Sequence, residues 1–220
     1  MKGYGQFCPT SKAAEILAER WTLLVVRELL LGSHRYADIR RGVPRMSPTL
    51  LAKRLKQLEQ AGIIERVKER GDSAYKYRLT EAGLDLKPLM GTLSDWGYRW
   101  ANTKLSRDDL DPGFLMWSIR RNLVIKFLPS TRTVFHFEFS DGHPPRRWWL
   151  VVENGEADLC VKDPGHEIDL YIQADLLPLT LYFDCRITLS EARASGRIKF
   201  RGSATLMRTI TQWFGRPAAK

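Results

Sequence analysis

Residues 47–62 read S-P-T-L-L-A-K-R-L-K-Q-L-E-Q-A-G. Ser47 offers a side-chain oxygen to cap a helix, Pro48 suits the first turn, and Gly62 suits the stop. Leu51, Leu55 and Leu58 share one helical face, the pattern of a helix that buries one side. Thr49, Lys53, Lys56 and Gln60 occupy the other, with Arg54 and Gln57 on its flanks. No acid interrupts that face before Glu59. A short helix with a buried stripe and a basic outer side is suited to lie against a polyanion.

The flanking sequence supplies the setting. Upstream, 11–18 reads as a short helix and 21–32, W-T-L-L-V-V-R-E-L-L-L-G, as a longer buried one. Tyr36 to Arg41 form another short helix, and G-V-P-R-M at 42–46 makes a turn. Downstream, the two ends of 63–80 alternate as strands about the Gly71-Asp72 reversal, a β-hairpin. Thr80 can cap a final helix. Short helix, turn, basic-faced helix and hairpin is the order of a winged helix-turn-helix. In that arrangement the N-terminal end of the second helix meets base edges in the major groove of double-stranded DNA. Ser47, Pro48 and Thr49 are short enough to allow close approach, and Lys53, Arg54 and Lys56 can reach bases or backbone. Arg40, Arg41 and Arg45 precede the helix where phosphate clamps are useful. Arg66, Lys68, Arg70, Lys76 and Arg78 decorate the hairpin, the wing.

Charge distribution agrees. The 220-residue chain carries a net charge of +10. Residues 1–104 hold 19 Lys and Arg against 11 Asp and Glu, a net +8, and 105–220 hold 16 against 14, a net +2. Basic charge concentrated in one half favours binding to phosphates, which releases counterions. No apolar run reaches the roughly 20 residues of a membrane span, and the N-terminus lacks the apolar core of a signal peptide. The expectation is a cytoplasmic protein without membrane contact. Cys8, Cys160 and Cys185 are far apart and form no CxxC pair or disulfide framework. His34, His136, His143 and His166 lack metal-ligand spacing, so neither a metal nor another cofactor is expected.

In the helix after the wing, Leu86, Leu89, Leu93, Trp96 and Trp100 are spaced 3, 4, 3 and 4. This heptad-like stripe either packs on its own domain or serves as a dimer helix. Pro88 within it is expected to bend the first turns.

The first half resembles the HxlR-type branch of winged-helix transcriptional regulators. The resemblance is carried by Cys8-Pro9, R-W-T-L-L-V-V-R-E-L-L-L-G at 20–32 and the run from Arg35 to Arg66. It continues through Y-R-L-T-E-A-G at 77–83 and L-S-D-W-G at 93–97. It implies a DNA-binding homodimer with dimer contacts from the N-terminal segment and the helix after the wing. Some members of that family use a cysteine near the N-terminus as a redox or electrophile sensor. Cys8 matches in position; the other reading is a partly buried structural thiol.

The seam lies at 99–113, where a helical pattern gives way to acids and Pro112-Gly113. The expected division is a DNA-binding and dimerisation domain at 1–104, a linker at 105–112 and a second domain at 113–220. In the second domain, V-F-H-F-E-F at 134–139 alternates, and 148–161 reads as two strands joined by Asn154-Gly155, a strong hairpin signal. Residues 167–174 alternate again, and 175–183 read as a helix or broken helix. Ser190 to Gly196 bound a short helix, 197–202 form a strand, and Ser203 caps a last helix. The sum is an α+β domain, an antiparallel sheet covered by helices.

This half resembles a sterol carrier protein-like domain in its strands at 148–174, in L-S-E-A-R-A-S-G-R-I-K-F-R-G-S at 189–203 and in the closing helix. The resemblance implies an apolar cavity between sheet and helices. Phe135, Phe137, Trp148, Trp149, Leu177, Tyr182, Phe183, Met207 and Trp213 are its candidate lining, or else plain core. No nucleophile elbow or acid–base pair organises a catalytic site. The expected function is a sequence-specific regulator, a repressor by default because occupancy alone blocks a promoter, with a hydrophobic small-molecule effector. The other reading is a lipid or metabolite carrier whose winged-helix half mediates protein association.

Overall fold

The computed structural model describes residues 3–68, 74–101 and 104–215. Arg70 and the Gly71-Asp72 reversal lie outside the described residues. The chain divides into two compact units, Met1–Thr103 and Lys104–Lys220.

In the first unit, helices α1 (Pro9–Leu17), α2 (Thr22–Leu30), α3 (Tyr36–Gly42) and α4 (Pro48–Gln60) precede a hairpin of β1 (Ile64–Val67) and β2 (Lys76–Leu79). Ser47 Oγ accepts from the Leu50 amide at 3.3 Å, Pro48 sits in the first turn, and Gly62 takes a φ of +73°, so α4 starts and stops where its punctuation predicts. Leu51, Leu55 and Leu58 are buried with Val25, Val26, Leu29 and Ile39. Burying each such side chain contributes roughly 1.5–3 kcal/mol, which holds α4 against α2 with its other face outward. The Tyr77 amide donates to the His34 carbonyl at 2.8 Å, tying the second wing strand to the loop before α3.

Two expectations for the helix after the wing are corrected. Pro88 does not bend it. The chain makes a short turn of helix, α5 (Glu81–Leu84), breaks, and starts α6 (Lys87–Trp96) with Pro88 in its first turn. Proline needs no amide hydrogen there. Leu86, counted in the heptad-like stripe, stands at the N-cap position of α6 and packs against the unit's own core. Gly97–Ala101 continue as a π-helical turn that carries Trp100.

The second unit begins earlier than expected. Leu105 and Leu110 pack on its core, and Ser106 and Asp109 form a capping box, so 105–112 is part of the unit and not a linker. Asp111 caps α7 (Pro112–Asn122), a helix absent from the sequence reading. Five strands follow: β3 (Thr133–Phe139), β4 (Arg147–Glu153), β5 (Glu156–Cys160), β6 (Leu170–Ala174) and β7 (Ile198–Gly202), in the order β5-β4-β3-β6-β7. The remaining α-helices among the described residues are α8 (Leu176–Phe183), α9 (Leu189–Ala194), α10 (Ala204–Arg208) and α11 (Ile210–Trp213). Asn154 and Gly155 both take positive φ at the β4–β5 turn, as the hairpin signal requires.

The sheet is mixed, not antiparallel: β6 pairs parallel with β3. Residues 161–169 carry the chain from β5 past β4 and β3, and Asp169 fastens the arrival. Its carboxylate accepts from the Val134 amide at 2.8 Å, and its own amide donates to the Val134 carbonyl at 3.0 Å. Strand alternation reports faces, not partners, so direction could not be read from it. Two helix boundaries also shift. Thr188 rather than Ser190 caps α9, in a box with Glu191. The last helix is split at Thr209, and Trp213 Nε1 donates back to the Leu206 carbonyl across the break.

Candidate nucleic-acid interface

The N-terminal end of α4 is presented by a braced turn. Tyr36 Oη donates to the Pro48 carbonyl at 3.0 Å, linking α3 to the first turn of α4. Behind it, Glu28 on α2 is fully buried. Arg27 Nη2 bonds its carboxylate at 2.9 Å and also donates to the Gly42 carbonyl at 2.9 Å, while Ser33 Oγ reaches Glu28 at 3.4 Å. A buried carboxylate held by an arginine and a hydroxyl fixes where α3 ends and therefore where α4 begins. Sequence reading missed Glu28 and Tyr36, since a single acid inside V-V-R-E-L-L carries no local mark of its partners.

Ser47, Pro48, Thr49, Lys53 and Lys56 are exposed, as are Arg40, Arg41 and Arg45. Arg41 pairs with Asp38 at 3.4 Å. Among the described residues Arg40, Arg45, Lys53 and Lys56 form no ion pair, so their charges face solvent unneutralised. The wing differs. Arg66 lies 3.8 Å from Glu59 and 4.5 Å from the centre of the Tyr75 ring, Lys68 sits 5.8 Å from the same ring, and Lys76 is half-buried. Tyr75, an aromatic platform between two wing cations, was not singled out in the sequence.

Arg54 is a correction. Its side chain is only 8% exposed and lies inward. Nη2 bonds Glu19 at 2.6 Å, Nε donates to the Arg20 carbonyl at 3.1 Å, and Nη1 bonds Gln57. With its donors committed to the loop after α1 and to its own helix, it is not free to reach DNA. Arg54→Ala is expected to destabilise the unit by about 1–3 kcal/mol, the range for a broken, largely buried charged hydrogen-bond set. The DNA affinity of the folded protein should not change. Thermal melts paired with binding titrations decide it. A tenfold affinity loss, about 1.4 kcal/mol, in a protein with unchanged melting would put Arg54 at the interface after all.

Cys8 is exposed at the head of α1. The Ser11 and Thr10 amides lie near enough to its sulfur to hold the thiol below its ordinary pKa, though neither closes a full capping hydrogen bond. Leu89, Leu93, Trp96 and Trp100 are exposed along α6 and its continuation.

In the second unit the residues expected around one apolar cavity are sorted to different places. Phe135, Phe137, Trp148, Tyr182, Phe183 and Trp213 are buried in the layer between sheet and helices, where Phe135 and Trp213 stack with centroids 4.7 Å apart. Leu177 and Met207 pack at its margin. These side chains fill the space in which a cavity was expected. Trp149 is on the opposite face, opposite His136 in the register of β3 and β4. A cavity of about 700 Å³ opens on that face, lined by His136, Glu138, Tyr171, Ile172, Gln173, Lys199, Phe200 and Arg201. Burial pushes the His136 pKa down, and Arg147 adds to this while Glu138 and Asp163 oppose it. The described residues contain no cluster of three or more His, Cys, Asp or Glu able to hold a metal ion, and no helix long and apolar enough to cross a membrane.

Residues 16–105 match the HxlR-like helix-turn-helix family. Among curated proteins, the HTH-type transcriptional regulator YvaP of Bacillus subtilis is 37% identical over 112 residues, 50% of this chain and 95% of that protein. The HTH-type transcriptional regulator Mb3122 of Mycobacterium bovis is 43% identical over 89 residues, which span 39% of this chain and only about half, 54%, of that protein. Among solved structures, the reduced form of the transcriptional regulator YodB from B. subtilis is 30% identical, with a TM-score of 0.39, covering 46% of this chain and all of that one. With the family matched from before α2 to beyond α6, and YvaP matched over nearly its whole length, the chain belongs to the HxlR-like helix-turn-helix family of transcriptional regulators.

Proposed function

We propose that this protein is a homodimeric, sequence-specific repressor. In this reading α4 enters the major groove of an operator, residues 1–104 bind DNA and hold the dimer, and the second unit, sterol carrier-like in sequence, receives a small-molecule effector. The observation that carries the DNA reading is the exposed head of α4. Thr49 and Lys53 share its outer face, backed by the uncompensated charges of Lys56, Arg40 and Arg45. The exposed apolar stripe of α6 supports the dimer, because large aromatics left in water on one helix suit interface anchors. The carrier reading and an effector seated between sheet and helices both lose support, since each relied on an apolar cavity there and the aromatics are packed. An effector would act by binding one dimer geometry better than another, which shifts the population that fits DNA.

The test is fluorescence anisotropy with the DNA upstream of the protein's own gene against a scrambled duplex, across a salt series. Tight binding to the upstream DNA with a preference that survives added salt is expected. Lys53→Ala or Thr49→Ala should cost about 1–3 kcal/mol on the preferred sequence and relax the preference. Arg45→Ala should weaken both duplexes equally and lower the salt slope by about one. Equal, salt-labile binding to both duplexes would show that only the charge is being sensed.

A further inference from the structure

The face of the five-stranded sheet turned away from the core layer carries two cross-strand rows. Register places Cys160, Trp149, His136, Tyr171 and Arg201 in one row, and Arg147, Glu138, Gln173 and Lys199 in the next. Residues opposite one another in neighbouring strands point to the same side, so each row acts as a unit. The first row is aromatic at its centre. The His136 ring lies 4.8 Å from that of Trp149 and 5.7 Å from that of Tyr171, the latter edge-on. Trp149 and His136 are only 8% and 9% exposed, and the Trp149 indole N–H is buried without a hydrogen-bond partner among the described residues. Tyr171 stands at the open edge of this cluster.

Charge on the face is unequal. Arg147 lies 3.2 Å from Glu138, which answers the acid on the cavity wall. Lys199 and Arg201 also line the cavity, and among the described residues neither has an ion-pair or hydrogen-bond partner. The cavity therefore has an aromatic floor, one neutralised carboxylate and two uncompensated cations. Its volume of about 700 Å³ lies within the usual range for small-molecule sites.

We infer that this face binds a planar aromatic carboxylate of one or two rings, stacked on Tyr171 beside His136, with its carboxylate held by Arg201 and Lys199. The guanidinium fork matches a carboxylate in geometry as well as charge. The aromatic floor selects against small inorganic anions, and the cations select against neutral hydrocarbons. The inference rests on the reading of the second unit as the effector-receiving part. It moves the effector to the opposite face of the sheet and narrows its class from hydrophobic to aromatic and anionic.

The experiment is calorimetric titration of the full-length protein with 2-naphthoate, 2-methylnaphthalene and acetate, followed by anisotropy on upstream DNA with and without 2-naphthoate. Binding of 2-naphthoate alone is expected. The double substitution Lys199→Gln and Arg201→Gln, at two exposed positions, should weaken it at least tenfold, and Tyr171→Ala should do the same by removing the stacking edge. Equal affinity for 2-methylnaphthalene, no binding of 2-naphthoate, or a double variant that binds as the parent does overturns the inference. So does a change of oligomeric state in the double variant, because the face would then be covered by a second copy. Calorimetry without DNA keeps the two readings separate. Binding of 2-naphthoate that leaves DNA affinity unchanged upholds the site and removes the effector role. Intact DNA binding without 2-naphthoate binding upholds the regulator and removes the site.

Discussion

Gly42→Ala should unfold, or bring close to unfolding, the helix-turn-helix unit. Gly42 ends α3, and a methyl group placed on its Cα would run into the carboxylate of Glu28. That carboxylate cannot withdraw cheaply. It is fully buried, bonded by Arg27 at 2.9 Å and approached by Ser33 at 3.4 Å, and the same arginine holds the Gly42 carbonyl. Moving Glu28 breaks the pair and leaves a buried charge exposed to an apolar surround, a loss of about 3–5 kcal/mol. Whole domains have only about 5–15 kcal/mol of net stability. The reason is space and not backbone conformation, since Gly42 is not among the residues with positive φ. Gly91 on α6 is the internal control. Nothing lies within 4 Å of an added Cβ there, so Gly91→Ala should be neutral or stabilise by up to about 1 kcal/mol. Chemical denaturation of both variants decides it, and a Gly42→Ala protein as stable as the parent would show that the Glu28 brace yields freely.

How much of this was legible in the sequence depends on whether a signal was local. Helix α4 could be read at both ends because its cap, its proline and its glycine all lie within it. Asn154-Gly155 could be read for the same reason. The Glu28–Gly42 contact joins residues 14 apart whose pairing exists only once α2 and α3 pack. Parallel pairing of β3 with β6 depends on where a nine-residue crossover lands, and neither strand encodes that. Trp148 joins the filled layer around Trp213 while Trp149 lies on the His136 face, and alternation alone does not say which of the two faces the helices fill.

Arg54 is a different kind of miss, because the signal was present. It falls three residues after Leu51 and one before Leu55, within the arc that faces α2. A strict helical projection places it beside the buried stripe. Its charge argued for the outer face, and the competing principle was that a long cation can enter a core margin when acids and carbonyls meet it. Glu19 and the Arg20 carbonyl do so. Helix α7 is a similar case: Asp111-Pro112 is a cap followed by a first-turn proline, a local signal that a linker at 105–112 leaves unused.

Leu93→Glu combined with Trp96→Glu should give a monomer that has lost nearly all operator affinity. Both residues are exposed on α6, so the substitutions leave the core of the unit intact, unlike Gly42→Ala. In the proposed homodimer they would meet their own counterparts across a two-fold axis, placing four carboxylates where apolar anchors had been. Like charges in a dry interface oppose association more strongly than the loss of contact alone. Once the dimer is lost, each half-site must be bound independently, and the linked second contact, commonly worth about 10²–10⁴ in affinity, disappears. Sedimentation should show the parent at twice the mass of the variant, and the melting of the variant should be independent of its concentration. Affinity for upstream DNA, read by anisotropy, should fall by at least about 100-fold, while the weak, salt-sensitive binding to scrambled duplex stays close to the parent's because Arg45, Lys53 and Lys56 are untouched. Full operator binding by a monomeric variant would mean that one helix-turn-helix unit suffices. The stripe on α6 would then require a partner other than a second copy of this chain.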